Sequence, residues 1–211
     1  MKENVLILSK TQMENGVCVG GLTDGGRYVR LLDNGGSNQP KDTSLAPLQI
    51  WEIDYVAKAN TRPPHVEDVV VQTMIRKGSL NRDANIEEFL KVRNVPIWRG
   101  TPDMLFDGLV QWTLKGSGYI DAVGGVPNHS VGFWISDKPL YKTEYEGSIR
   151  YKYRFDIFDI NGRSIKYKGF EDPVSQIPAG TLIRVSLARW WISPSDNSEK
   201  CWLQLSGWYN L

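Results

Sequence analysis

Cysteine and histidine are scarce: Cys18, Cys201, His65 and His129 are the whole supply in 211 residues. Neither pair has a CxxC or HxxxH spacing, so no structural metal is expected. Long apolar runs are missing too. The run Val5 to Leu8 is too short for a signal-peptide core, and nothing approaches the ~20 apolar residues of a membrane span. The expected location is therefore the cytoplasm, where a disulfide between Cys18 and Cys201 is not expected. Charge of one sign is absent as well: 25 Lys and Arg meet 24 Asp and Glu, a formal net charge of +1. Any nucleic-acid footprint must then be a local patch. Gly116-Ser117-Gly118 and Gly124-Gly125 lack a following GK[ST] and a strand–loop–helix setting, so no phosphate loop is read there and no cofactor is expected.

What is present reads as mostly β. Hydrophobic residues at 41% and charged residues at 23% are ordinary globular composition. Strands are expected at Val5 to Leu8, at Val17 to Val19 with Cys18 as a small buried hydrophobe, and at Arg27 to Leu32 after the Thr23-Asp24-Gly25-Gly26 turn. In residues 49–57 the alternation puts Trp51, Ile53, Tyr55 and Ala57 on the core face, and Val69 to Val71 closes a small barrel. Ile86, Phe89 and Leu90 stand at helical spacing, with Asp83 and Glu87 near the start; Thr101-Pro102-Asp103 reads as a second helix start. Further strands are expected at residues 131–136, 150–158, 164–168, 182–191 and 201–208, with a loop through Ser193-Pro194-Ser195-Asp196-Asn197. The organisation expected is a barrel over 1–78, a helical connector with a Gly-rich loop over 79–128, and a second barrel over 129–211.

Three constellations carry chemistry. From Arg150 to Lys168 six cations (Arg150, Lys152, Arg154, Arg163, Lys166, Lys168) meet two carboxylates, Asp156 and Asp159. Period-2 alternation places most of these cations on one face, which serves either a phosphate backbone or plain solvation. Eight tryptophans form the second feature: Trp51 and Trp202 are expected in the core, while Tyr28, Trp190 and Trp208 are candidates for base stacking, with Arg189 beside Trp190 and Arg30 near Tyr28. The third is Pro63-Pro64-His65-Val66-Glu67-Asp68. His65, Glu67 and Asp68 suit either ligand contact or bracing of a barrel mouth, and no nucleophile is recognisable beside them for catalysis.

Several segments resemble the dual OB domain family: Val5-Leu6-Ile7-Leu8-Ser9-Lys10, Gly16-Val17-Cys18-Val19-Gly20-Gly21, Tyr28-Val29-Arg30, Pro64-His65-Val66-Glu67-Asp68, Ile183-Arg184-Val185-Ser186-Leu187 and Cys201-Trp202-Leu203-Gln204-Leu205. Tyr28 stands where that family more often has Trp, Asp68 where Asn is usual, and Leu31 interrupts an Arg-Pro pair. The resemblance implies two OB-like barrels and a prokaryotic genome-defence or DNA-processing setting, with no catalytic activity to carry over. The leading expectation is a single-strand nucleic-acid-binding module. The alternatives are an adaptor contacting other subunits of a defence complex, and a nucleotide or modified-base binder or enzyme using His65.

Overall fold

The computed structural model describes residues 1–81, 84–194 and 197–209. Asp83, Ser195 and Asp196, which entered the expectations above, lie outside the described residues. Contacts divide the chain into two units, Met1–Pro96 and Ile97–Tyr209.

The first unit holds β1 (Lys2–Gln12), β2 (Val17–Thr23), β3 (Tyr28–Leu32), β4 (Gln49–Ala57) and β5 (Asp68–Ser79). They close into a barrel in the order β1-β2-β3-β5-β4. Every neighbouring pair is antiparallel except β3 with β5, which run parallel. Alternation sends Val5, Ile7, Val19, Leu31, Trp51, Ile53, Tyr55 and Val69 into one core. The reading of β4 holds for Trp51, Ile53 and Tyr55, while Ala57 is exposed at the strand end. Cys18 is half-buried and not part of the core, because Val17 and Val19 on either side of it take the inward positions. The helix α1 (Ile86–Lys91) follows in the same unit. Its start is set by Asn85, whose Oδ1 accepts the Glu88 N–H at 3.0 Å, and Ile86 and Leu90 are buried.

The second unit holds β6 (Ile97–Gly100), a 3₁₀ turn (Pro102–Gly108), β7 (Gln111–Trp112), β8 (Gly118–Ile120), β9 (Val131–Ser136), β10 (Leu140–Tyr145), β11 (Ser148–Tyr153), β12 (Arg163–Tyr167), β13 (Gln176–Ile177), β14 (Leu182–Leu187), β15 (Trp191–Ile192) and β16 (Glu199–Tyr209). The expected connector over 79–128 is thus not one piece. Its helix belongs to the first unit and its later part supplies strands to the second.

The central path is β10-β11-β12-β16-β14-β9, with β12 and β16 parallel. This is the order of the first barrel with its first strand broken in two: β9 and β10, separated by residues 137–139, stand where β1 alone stands. β11, β12, β14 and β16 then correspond to β2, β3, β4 and β5. Trp134, Tyr151, Tyr153, Ile165, Ile183, Val185, Leu203 and Leu205 fill the core.

Two strands stop earlier than alternation suggests. β11 ends at Tyr153, not Phe158. The Asp159 carboxylate accepts the N–H groups of Phe155 (3.0 Å) and Gly162 (2.8 Å), and Asp156 accepts that of Phe158 (2.8 Å). Aspartate side chains here satisfy backbone donors that a strand would have to pair, so residues 154–162 form a loop. β14 likewise ends at Leu187, and Trp191 pairs separately with Lys200 in the short β15 contact.

Candidate nucleic-acid interface

In the second unit Tyr151, Tyr153 and Ile165 point into the core, so Arg150, Lys152 and Lys166 point out. Strand register lines the outward positions into one rung: Thr143, Arg150, Lys166, Gln204 and Ser186 on five neighbouring strands. Along β16 the same face continues through Trp202 and Lys200. Among the described residues, no Asp or Glu occupies this face of β10, β11, β12 or β16. Glu144 stands opposite Ile149, on the alternate position to Arg150.

The cations differ in how they are held. Arg150 donates Nε–H to Ser164 Oγ at 2.7 Å, and its Nη2 donates to Ser117 Oγ at 2.8 Å and to Ser164 O at 3.0 Å. Burial lowers its pKa, yet an arginine remains charged. Lys166 is pushed down by burial first and by the charges of Lys168 and Arg150 after it. None of these three cations has a carboxylate within salt-bridge reach among the described residues. Lys152 is half-buried, its ammonium donating to Ile160 O at 3.0 Å, and Arg154 is exposed just past the strand end. Arg163 is different. It is paired with Asp103 at 3.0 Å, and its guanidinium lies over both Trp112 (4.9 Å) and Phe155 (5.2 Å).

Aromatic side chains adjoin the cationic rung. Trp202 was expected in the core but lies half-buried on the outer face, because Cys201, Leu203 and Leu205 take the inward positions. Its ring is 5.7 Å from that of Tyr119 and 6.5 Å from that of Trp191, which is 46% exposed. Lys200 sits 5.0 Å above the Tyr119 ring. The alternation Cys201, Leu203, Leu205 was the signal that would have found Trp202. Trp190 is half-buried against the core and Arg189 is exposed in the same loop. Trp208 is not available as a stacking platform. It is only 7% exposed, stacked on Tyr167 at 5.2 Å and edge-on to Tyr151 at 5.7 Å.

The remaining candidates lie in the first unit. Arg30 on β3 and Asp68 on β5 form a buried ion pair in which Nη2 donates to Oδ2 at 2.7 Å and Nε stands 2.6 Å from Oδ1. Arg30 N–H also donates to Glu67 O at 2.8 Å. Burial pushes the Asp68 carboxyl up, against the pull of Arg30, and the adjacent Glu67 adds to the rise. His65, Glu67 and Asp68 are all buried, and Asp68 stands opposite Arg30 in the parallel pairing of β3 with β5. Tyr28 is half-buried at the start of β3.

The family model for a dual OB-containing domain matches residues 3–208. The chain belongs to that family. Its closed five-stranded barrel and its larger second sheet are the architecture of a dual OB-containing protein. One solved structure, titled "Crystal structure of the tetrameric p202 HIN2", is 11% identical, over 98% of this chain and 92% of that one, with a TM-score of 0.30. Nothing is transferred at that score. No curated protein matches the chain. In this dual OB-containing chain the cationic rung lies on β11 and β12 of the second sheet, and Arg189, Trp190 and Trp191 lie on the connection between β14 and β16. No helix among the described residues is long and apolar enough to cross a membrane.

Proposed function

We propose that this protein binds single-stranded nucleic acid on the outer face of its second barrel. The observation that carries the reading is a row of cations without carboxylates, Arg150 opposite Lys166 with Lys168 beside them, next to the Tyr119, Trp191 and Trp202 cluster. OB barrels as a class bind oligonucleotides on the face of strands two and three and on the flanking loops. Crowded, partly desolvated cations destabilise the free protein, and a phosphate backbone relieves them. Aromatic rings beside the cations supply sequence-tolerant stacking. Arg189 and Arg154, both exposed, extend the charge to either side. Arg163 serves this reading least, since Asp103 already matches its charge.

On the family resemblance we assign the protein to a prokaryotic genome-defence or DNA-processing system. The binding test is intrinsic tryptophan fluorescence during titration with a mixed-sequence single-stranded oligonucleotide, at low and then moderate salt. Saturable quenching that weakens steeply with salt is the expected result. No change at either salt overturns the reading and leaves the adaptor role, for which a partner retained in high salt without nucleic acid is the evidence.

A further inference from the structure

A cleft of about 440 Å³ opens in the second unit between the turn that joins β7 to β8 and the loop of residues 154–162. Its walls are Trp112 and Leu114 on one side and Phe155, Asp159 and Asn161 on the other, with Arg163 between. The two walls approach closely where Gly116 meets Gly162, and Gly162 in turn packs on Tyr153 of its own wall. A Cβ on Gly116 (φ +79°) would lie 2.1 Å from Gly162 O, and one on Gly162 (φ +55°) would lie 2.4 Å from Tyr153 O. Neither position admits a side chain, so the backbones seat directly on each other and fix the floor.

We propose that this cleft is a pocket for one unstacked nucleobase of the bound strand. The proposal rests on the nucleic-acid reading above and adds a second subsite to it. Five observations carry it. The volume is within the range of small-ligand pockets. The Arg163 guanidinium lies over the rings of Trp112 and Phe155 and is neutralised by Asp103, so it holds these two stacking rings in place and leaves no free charge for phosphate. The outer wall is preformed: the Asp159 carboxylate is spent on the N–H groups of Phe155 and Gly162. That wall also holds Ile157, Phe158 and Ile160 in water at 83–85% exposure, and Leu114 across the cleft is 96% exposed. Pinned, exposed apolar side chains mark a binding surface. The approach is cationic, because Lys152 of the basic face is bonded to Ile160 O in the same loop and Arg154 is exposed where the loop leaves β11.

The test is photocrosslinking of the full chain to oligonucleotides that carry one 5-iodouracil, moved base by base along the strand, with the attachment sites mapped by mass spectrometry. Crosslinks to Trp112 or Phe155 from one position of the strand are expected. Leu114→Asp, a change at a fully exposed side chain, should weaken binding of that strand about tenfold, the scale of one lost stacked base. It should leave the affinity of a shorter strand that reaches only the Trp202 face unchanged. Crosslinks confined to Tyr119, Trp191 or Trp202, with Leu114→Asp binding normally, overturn the cleft and leave the outer face standing. An oligonucleotide that neither binds nor crosslinks anywhere overturns both.

Discussion

Arg150 and Lys166 stand directly opposite each other on β11 and β12, two like charges in one rung of a sheet. Opposed like charges in a sheet are destabilising, by a few tenths of a kcal/mol up to about 1 kcal/mol. Arg150 offsets this with bonds to Ser164 and Ser117, while Lys166 has no such bond among the described residues. The two residues should therefore answer substitution differently.

Lys166→Met is expected to leave the melting temperature unchanged or slightly higher, within about 0.5 kcal/mol. It should also weaken oligonucleotide binding and reduce the salt slope by about one. Arg150→Met should weaken binding and lower the melting temperature, since it strands the Ser164 and Ser117 hydroxyls. Paired thermal melts and salt-dependent titrations read both signs. Equal destabilisation by the two variants would contradict the account of the rung.

The tryptophans separate in the same way. Trp208→Ala removes a ring from the core and should cost about 3–5 kcal/mol by denaturant unfolding. Trp202→Ala lies on the outer face; its cost in stability should be smaller, and its main effect a loss of about 1–3 kcal/mol in oligonucleotide binding.

Breaking the buried pair of Arg30 and Asp68 leaves one charge uncompensated, so Arg30→Ala is expected to cost about 3–5 kcal/mol. The double change Arg30→Met with Asp68→Leu should recover most of that. The pH dependence has a definite sign. Burial holds the Asp68 carboxyl above its ordinary value, so the folded form binds the proton more tightly than the unfolded one. Stability from this group therefore falls as pH rises from the ordinary aspartate value through the folded one. Without Arg30 the rise is larger, and the deficit of Arg30→Ala should shrink as the solution is acidified. Urea midpoints of both proteins across that pH range are the measurement.

Asp159 behaves oppositely. The N–H groups of Phe155 and Gly162 hold its carboxyl below the usual range. Its stabilisation of the loop is then full above the ordinary aspartate value and is lost as pH falls through the lowered one. Hydrogen-exchange protection at Phe155 and Gly162 should collapse in that acid window. Asp159→Asn should show weakened protection at neutral pH and no acid step.

Alternation made the middle of β4 legible, because Trp51, Ile53 and Tyr55 alternate with polar neighbours, while Ala57 at the strand end is exposed. It also identified the outward cations Arg150, Lys152 and Lys166. It failed where side chains compete with the ladder. Asp156 and Asp159 turn an unbroken-looking strand into a loop and expose Ile157, Phe158 and Ile160. It failed again at Trp208, since an apolar residue beyond a break in the alternation gives no local sign of whether its face meets core or solvent. The bulge between Arg184 and Val185 in the β14 pairing changes the facing along β16, and only the paired strand reveals it.

By itself the sequence determined the mostly-β class, the helix around Leu90, the basic hairpin and the family, because period-2 and helical patterns are local properties of the chain. The tertiary structure alone decided what those residues face. It set the parallel pairing of β12 with β16 that brings Lys166 beside Gln204, the docking of Ser117 on Arg150, and the burial of His65. Each joins residues far apart in the chain, and no local pattern encodes a long-range register.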